Sequence, residues 1–449
     1  MQFKKSFLKG TIILTFTGFL SKIIGFFYRI FLSQTIGAEG LGIYQLIFPV
    51  QGLLLAVTTA GMQTALSRFI ASQFAQKNPK RANDGFVLGC TFSLIFSIGL
   101  SCLVHNQADF ISVQLLAEPR TAPLLRLLAF AIPLSSLHSC VNSYHYGQKK
   151  TGAPSVILLL EQTFRVFTAF LVYQIALSKG FSPTPLIAVA GILAGELAAA
   201  LSSLLVMSWN FQTHRYRIFS IAHPGEIFSD LLHMSVPLTL NRVLLTLLSS
   251  IEVILIPRQL IKFGLSSSEA LSLYGIFTGM TLPLILFPSA ITNSASVMLL
   301  PSIAEIQALG YRRTLQRTIT KAVQSCLLLG AGCGIFFFLS GNFLGLFLFD
   351  NSTAGTFIRI MAFICPFLYT NTALSSILNG LGKPSACLVH NVSSISIRIF
   401  FVAFFIPVFG IRGYLWGILL GELLLTFLHG FTLYRLFKDT LVKKGGSIL

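Results

Sequence analysis

Apolar residues along this chain come in runs of about 20, and short polar links separate each run from the next. A helix of that length crosses the ~30 Å hydrocarbon core of a bilayer, so the pattern predicts transmembrane helices. About twelve spans are predicted in this way. They cover residues 11–33, 41–70, 85–104, 122–146, 153–178, 184–208, 229–257, 271–303, 319–341, 356–380, 385–409 and 413–435. The predicted fold is an all-α integral membrane protein.

The composition excludes a large soluble protein. Hydrophobic residues make up 54% of the 449 residues and charged residues 10%, whereas a soluble domain has roughly 25% charged residues. The seven cysteines lie in or beside apolar segments, without the short paired spacing of metal sites or disulfide frameworks. The sequence also lacks the Gly-x-x-x-x-Gly-Lys-Ser/Thr run that binds nucleotide phosphates. We therefore expect no metal, no cofactor and no enzymatic activity.

The formal net charge is +18, which in a soluble protein would suggest a nucleic-acid partner. The placement of the charge indicates a different cause. If the N-terminus is cytoplasmic, the cytoplasmic links and tails hold about 18 Lys and Arg and the outer links about 5. Because this is the positive-inside pattern, we expect both termini in the cytoplasm and no nucleic-acid partner. Lys4, Lys5 and Lys9 precede an apolar stretch without a cleavage site, which we interpret as a retained first helix.

The sequence repeats itself at a separation of about 230 residues. The recurring elements are Leu-Gly-Ile-Tyr ending at Tyr44 and Leu-Ser-Leu-Tyr ending at Tyr274, residues 126–133 and 359–366, the helix-opening Pro154 and Pro384, and GILAGEL from Gly191 with GILLGEL from Gly417. Six spans in each repeat give both halves the same orientation in the membrane. We therefore predict two parallel six-helix bundles, residues 1–222 and 223–449. They should be related by a pseudo-twofold axis along the membrane normal and enclose a central cavity.

Acidic and basic residues lie at matching depths in the two halves. Arg165 and Glu196 fall near the middles of the fifth and sixth spans, and Arg398 and Glu422 near the middles of the eleventh and twelfth. An unpaired charge at that depth is costly, so an ion pair within each bundle would explain them. The alternative is a proton relay, to which Glu161, one turn before Arg165, would contribute.

The first and seventh spans each carry a polar stripe. The first stripe, with alternating spacings of four and three residues, consists of Thr11, Thr15, Gly18, Lys22, Gly25 and Arg29. The seventh span carries Ser235, Thr239, Arg242, Thr246, Ser249 and Glu252. A seam between helices would explain the small residues. It would not explain Lys22, Arg29 and Arg242, which a dry seam would have to desolvate, so we interpret the stripes as the lining of a water-filled cavity.

The second and eighth spans add polar residues at matching places. The second ends in Gln63, Thr64, Ser67 and Arg68, and the eighth carries Thr292, Asn293, Ser294 and Ser296. Pro49 in the second span, and Pro283 and Pro288 in the eighth, are expected to bend these helices. The fourth and tenth spans are also partly polar, with His138 and Asn371 among their residues, and either line the cavity or form a seam.

The segment from Thr17 to Arg68, with SKIIGFFYRIFLSQTIGAEGLGIYQLIFPV at its centre, resembles the polysaccharide-export branch of the multidrug, oligosaccharidyl-lipid and polysaccharide exporter superfamily. Within that branch it is similar to the stage V sporulation protein B and lipid II flippase group. The resemblance implies a multi-pass protein of the bacterial inner membrane that moves a polyprenyl-diphosphate-linked saccharide to the outer leaflet by alternating access. It also implies that Lys22, Arg29 and Arg68 face the cavity. The two extra C-terminal helices of lipid II flippases have no counterpart after the twelfth predicted span, so the resemblance does not identify which saccharide is carried.

The residues themselves favour the same class of substrate. A diphosphate presents negative charge and several acceptor oxygens, which Arg and Lys bind with charge-assisted hydrogen bonds. The predicted substrate-binding cations are Lys22, Arg29, Arg68 and Arg242, and the predicted lining residues are Thr15, Gly18, Gly25, Gln63, Thr239, Thr246 and Asn293. The expected partners are an anionic lipid-linked saccharide and membrane lipids, and we expect a monomer.

Two other functions stay open at this stage. A multidrug antiporter would export organic cations in exchange for H⁺ or Na⁺, and its cavity would favour carboxylates over four cations. A membrane glycosyltransferase or polymerase would need acids at a membrane face. The outer links offer Glu39, Asp109, Glu118, Glu269 and Asp350, scattered in short loops.

Overall fold

The computed structural model describes the backbone of residues 2–213, 221 and 223–445, and the side chains of residues 15–213, 221, 223–296, 299–300 and 302–437. Within these ranges every regular element is a helix. Eleven helices are long and apolar enough to cross a membrane, and a bent pair raises the number to twelve. The prediction of an all-α, multi-pass membrane protein is therefore confirmed.

The chain divides into two compact units, Met1–Ile254 and Leu255–Leu449. The first unit contains α1 (Gln2–Gln45), α2 (Phe48–Ala75), α3 (Pro79–Asn106), α4 (Pro119–Ala129 and Ala131–Gly147, bent by 43°), α5 (Gly152–Ser178), α6 (Leu186–Thr213) and most of α7 (Pro224–Lys262). The division between bundles that we placed after Ala222 stays a prediction, because Ala222 lies outside the described residues.

The second unit contains α8 (Ser267–Leu286), α9 (Ser289–Ala308), α10 (Arg312–Phe349), α11 (Ser352–Gly380), α12 (Pro384–Phe404) and α13 (Ile411–Gly445). The predicted eighth span corresponds to α8 and α9 together, with Phe287 and Pro288 between them. Proline lacks a backbone N–H, which explains the interruption at Pro288. Pro283 follows a π-helical segment, Ile276–Thr281, within α8.

The start of the second span is more complex than its prediction. α1 is kinked at Gly37, whose φ of 69° and ψ of −178° are not helical, within the link predicted between residues 33 and 41. A further interruption, at Leu46 and Ile47, comes before α2, which begins at Phe48. Pro49 lies in the first turn of α2, where its missing N–H costs no helical hydrogen bond, so the predicted span is interrupted just before the proline. The irregularity within α2 is a π-helical segment, Ala56–Ala60.

The recurring heptapeptides form a close helix contact in each unit. A Cβ built on Gly195 of α6 would lie 2.7 Å from the carbonyl oxygen of Glu161 on α5. A Cβ built on Gly421 of α13 would lie 2.9 Å from Cγ of Arg398 on α12. Since no ordinary Cβ contact is this short, glycine is needed at both positions. The sequence repeat is thus also a repeat of packing, which brings α6 against α5 and α13 against α12.

Candidate functional site

The polar stripe of α1 is open on the side of its two glycines. In the described part of the chain, a Cβ built on Gly18 or Gly25 meets no atom within 4 Å. The side chain of Lys22 between them is exposed, and that of Thr15 is half-buried. A helix–helix seam would place atoms of a neighbouring helix against these glycines. The stripe is therefore not packed at these glycines in the described structure, and its role as a cavity lining stays a prediction.

Arg29 lies deeper in the bundle than Lys22. Its side chain is half-buried. The guanidinium is within electrostatic range of Arg165 on α5 and of Tyr28 and Tyr44 on α1. Tyr28 in turn donates a hydrogen bond to the carbonyl oxygen of Ala188 on α6, at 3.4 Å. Arg29 therefore connects the open stripe with charged residues inside the bundle.

Part of the stripe on α7 packs against α2. A Cβ built on Gly61 would lie 1.9 Å from Oγ1 of Thr239, and one built on Gly52 would lie 3.4 Å from Cγ2 of Thr246. Both threonines are half-buried. Thr239 and Thr246, which we predicted to line the cavity, therefore lie where α2 and α7 meet, as the alternative of a seam requires.

Arg68 and Arg242 are exposed residues near this contact. Gly52 of α2 lies beside Thr246 of α7, and the later Gly61 lies beside the earlier Thr239. The two helices are therefore antiparallel. Arg68 follows Gly61 by two turns, and Arg242 follows Thr239 by about one. Because the helices are antiparallel, the two arginines lie on opposite sides of the contact between Gly61 and Thr239. At about 1.5 Å per residue, they are about 15 Å apart along the helix axes.

Among the residues that the structure describes, three of the four predicted binding cations have no ionic partner. These three, Lys22, Arg68 and Arg242, make no ion pair or side-chain hydrogen bond within that part of the chain. The lining residue Gln63 is half-buried on α2, and Asn293, on α9 of the second unit, is exposed. The three cations are thus available to an anionic ligand.

A cluster of charged side chains is buried in the first unit. Nη2 of Arg165 donates a short hydrogen bond to Oε1 of Glu161 and lies 4.0 Å from Oε1 of Glu196. Oε2 of Glu196 lies 2.8 Å from Nε2 of His138 on α4. The structure thus brings Arg165 and Glu196 to the outer limit of an ion-pair distance. Each has a closer partner, Glu161 for Arg165 and His138 for Glu196.

A corresponding cluster is buried in the second unit. Nη1 of Arg398 lies 3.6 Å from Oε1 of Glu422. Nδ2 of Asn371 on α11 donates to Oε2 of the same carboxylate at 2.7 Å, and Thr426 donates to Oδ1 of Asn371 at 2.8 Å. The structure therefore brings the predicted pair of Arg398 and Glu422 together and adds the side-chain amide of Asn371 as a hydrogen-bond donor to Glu422.

His138 and Asn371 are the cluster members to which the sequence interpretation gave no partner. They were recognised only as polar residues of the fourth and tenth spans. Their positions in the repeat could have identified them, because His138 precedes Arg165 by as many residues as Asn371 precedes Arg398. Matched positions in two repeats are expected to take matched places in the fold.

Charged residues at the predicted outer ends of the helices pair with one another. Arg120 lies 2.8 Å from Glu39 and 2.7 Å from Glu118. Arg126 lies 2.5 Å from Asp109 and is exposed. Among the described residues, no group of three or more His, Cys, Asp or Glu side chains is placed to hold a metal ion.

The sequence is similar to a family of polysaccharide biosynthesis proteins and to membrane proteins of Bacillus subtilis. Residues 7–307 match the family model described as polysaccharide biosynthesis protein. The chain is 26% identical over 436 residues to stage V sporulation protein B of Bacillus subtilis (strain 168). This alignment covers 96% of this chain and 84% of that protein. It is 22% identical over 341 residues to lipid II flippase MurJ of the same organism, in an alignment that covers 72% of this chain and 62% of that protein.

The fold is also found among solved structures. A multidrug resistance MATE family transporter of the MOP superfamily, in an inward-facing conformation, superimposes with a TM-score of 0.71 at 17% identity. The match covers 96% of this chain and 99% of the transporter. Since the family model matches well over half of the sequence, and the chain shares its fold with a transporter of the MOP superfamily, this chain belongs to the polysaccharide biosynthesis protein family.

Proposed function

We propose that this protein is a flippase of the bacterial inner membrane that moves a polyprenyl-diphosphate-linked saccharide to the outer leaflet by alternating access, with both termini in the cytoplasm. The family match and the similarity to a protein named lipid II flippase support the proposal. One structural observation carries it. Lys22, Arg68 and Arg242 are exposed on helices of a membrane protein, and within the described chain they have no ionic partner.

The electrostatic cost of these cations indicates the kind of ligand. A Lys or Arg at the bilayer centre costs about 2.5 to 3.5 kcal/mol on insertion scales, so each needs water or an anion. A diphosphate supplies the anion, and the guanidinium fork of Arg68 or Arg242 binds two of its oxygens at once. With the proposed topology, Arg68 lies nearer the cytoplasmic end of α2 and Arg242 lies about 15 Å deeper. The two residues would bind the diphosphate at successive depths.

The membrane potential supplies a driving force for this movement. Exporting a negative charge from an inside-negative cell releases about 2.3 kcal/mol per charge per 100 mV. A diphosphate linked to a saccharide keeps its negative charge as it crosses. Transport in the proposed direction is therefore downhill in the electric field.

The two alternative functions fit the charges less well. An organic cation in an antiporter would face Lys22, Arg68 and Arg242 and be repelled by them. A glycosyltransferase would need acids free for a metal or a base at the membrane face. At the outer ends, Glu39 and Glu118 pair with Arg120.

Complementation tests the proposal. The gene is supplied to a host depleted of its lipid II flippase and, separately, to a strain lacking its O-unit or capsule flippase. Rescue of one strain supports the function and identifies the class of saccharide. Failure of the well-expressed protein in both strains, together with resistance to organic cations, would show an antiporter instead.

Substitution of the cations tests the assigned residues. Arg68→Ala combined with Arg242→Ala should abolish rescue, because the diphosphate loses both guanidinium groups. The corresponding Lys variants should retain part of the activity, since Lys keeps the charge without the bidentate fork. Lys321→Ala is the matched control, because Lys321 is an exposed cation of α10 outside the proposed site. Full rescue by the double Ala variant at normal expression would refute the assignment.

A further inference from the structure

A cleft of about 820 Å³ lies among the helix ends of the second unit. It is lined by the end of α9, the first turns of α10, the link between α11 and α12, and α13 close to Phe437. Pockets that hold small ligands have volumes of about 300 to 1,000 Å³. The cleft is therefore large enough for an organic ligand, and none of the predicted substrate-binding cations lines it.

One side of the cleft is apolar. Ile306, Leu381 and Phe437 line the cleft, and all three pack against a buried core that includes Ile377 and Leu378. They are half-buried, so part of each side chain stays accessible from the cleft. A ligand with an apolar part would gain free energy by covering this surface, whereas an inorganic anion would gain nothing from it.

The exposed side of the cleft is basic. Arg312 and Arg313 begin α10, and Lys383 comes directly before α12. No acidic side chain is among the described residues that line the cleft. Within the same part of the chain, Arg313 and Lys383 are exposed and make no ion pair or side-chain hydrogen bond. These two cations are thus available to an anionic group.

Two helix N-termini add positive potential at the same place. The residues that precede the first turns of α10 and α12 are Tyr311 and Lys383, and neither side chain accepts a hydrogen bond from its helix. The first N–H groups of a helix carry partial positive charge. This potential reinforces the two cations, but the cleft and its side chains define the site.

The cations of the cleft lie at the depth of the lipid headgroups. The apolar stretch of α10 begins at residue 319 and that of α12 at residue 385. Arg313 precedes the first stretch by six residues, about 9 Å along a helix, and Lys383 precedes the second by two. Both residues therefore lie just outside the hydrocarbon core, where phosphate groups of lipids are found.

We propose that this cleft binds an anionic phospholipid, with its phosphate at Arg313 and Lys383 and the beginning of its acyl chains on the apolar side. Basic pockets between transmembrane helices suit such headgroups. The positive-inside rule explains why basic residues lie at this end of the helices. It does not explain why cations from two separate links line one cleft that also has an apolar side.

The lipid site is independent of the proposed substrate and of the direction of transport. Only the leaflet that supplies the lipid, the cytoplasmic one, follows from the proposed topology. Failed complementation by a protein that still binds the lipid would therefore contradict the flippase alone.

Thermal unfolding of the purified full-length protein in detergent tests the site. Phosphatidylglycerol should raise the Tm by several degrees relative to phosphatidylcholine with the same acyl chains, because a ligand of the folded state stabilises it. Native mass spectrometry should show at least one more phosphatidylglycerol than phosphatidylcholine retained per protein. Inorganic phosphate and glycerol 3-phosphate should have no such effect, since they lack acyl chains.

The double variant Arg313→Gln with Lys383→Gln should lose most of the difference between the two lipids. Each variant is compared with its own Tm in phosphatidylcholine, so a general loss of stability does not hide the result. Arg317→Gln is the matched control and should keep the difference, because Arg317 is an exposed cation of α10 that does not line the cleft.

Three results would overturn the proposal. The first is an equal Tm and equal lipid retention of the wild type in both lipids. The second is an undiminished difference in the double variant. The third is an equal rise of Tm with glycerol 3-phosphate or with a soluble polyglutamate peptide, which would assign the cleft to a soluble anion instead.

Discussion

At the scale of single residues, Arg398 shows how a charge is accommodated inside a membrane helix. Its guanidinium lies 3.6 Å from the carboxylate of Glu422, which also accepts a hydrogen bond from Asn371 at 2.7 Å. Both charged groups are largely shielded from solvent. A buried ion pair adds little stability by itself, but removal of one partner strands the other charge, at a cost of about 3 to 5 kcal/mol.

We therefore expect Glu422→Ala and Arg398→Ala each to lower the thermal stability of the detergent-extracted protein. The double variant should recover much of the loss, because neither charge is left alone. Thermal unfolding of the two single variants and the double variant measures this coupling. A stable single Glu422→Ala variant that fails in transport would contradict a structural pair and indicate a proton relay.

At the scale of helices, glycine has two different uses in the first unit. Gly195 allows α6 to approach α5, where a Cβ would lie 2.7 Å from a backbone carbonyl oxygen. Gly25 on α1 faces no described atom within 4 Å of such a Cβ. The first glycine therefore serves packing, whereas the second contributes to an open polar face.

Gly195→Ala should lower folded yield and thermal stability, because overpacking against backbone costs about 1 to 3 kcal/mol. Gly25→Ala is the matched control. It should leave stability unchanged or raise it by up to about 1 kcal/mol, since alanine is the better helix former. Equal destabilisation by both substitutions would show that α1 is packed at Gly25.

The openness of the α1 stripe is tested by its chemical reactivity. In a variant without the seven native cysteines, cysteine at Gly18, Lys22 or Gly25 should react with a membrane-impermeant thiol reagent. Cysteine at Thr17 or Leu32 should not, because both residues are buried. Lack of reaction at all three stripe positions would leave a dry seam as the better interpretation.

At the scale of the whole molecule, the positive charge is organised by membrane topology. Lys149 lies in the link between α4 and α5, and Lys179 follows the end of α5. These residues mark opposite ends of one helix, so they belong to opposite sides of the membrane. With the proposed topology, in which the links richer in Lys and Arg are cytoplasmic, Lys149 lies on the cytoplasmic side.

Single cysteines at these two positions test the orientation of the chain. In intact cells, the Lys179→Cys variant should react with an impermeant reagent, while Lys149→Cys should react only after the membrane is permeabilised. Both variants change exposed residues, so expression should be normal. The reverse pattern of labelling would invert the proposed topology and the direction of transport along with it.

The sequence by itself determined the features that depend on neighbouring residues along the chain. Helix length and apolar character are local properties, which is why the membrane spans and the all-α class were predictable. The repeat of GILAGEL from Gly191 as GILLGEL from Gly417 was likewise visible before its packing was known. The break between α1 and α2 was missed because its two residues, Leu46 and Ile47, are apolar and do not interrupt the hydrophobic pattern.

Only the tertiary structure decided which faces of the helices meet. Periodicity placed Gly25 and Thr239 on polar stripes, but one faces open space and the other packs against Gly61 of α2. The sequence paired Arg165 with Glu196, yet the closest partner of Glu196 is His138 on a third helix. Such contacts depend on the rotation and depth of helices that are far apart in sequence, and spacing along one helix carries no information about either.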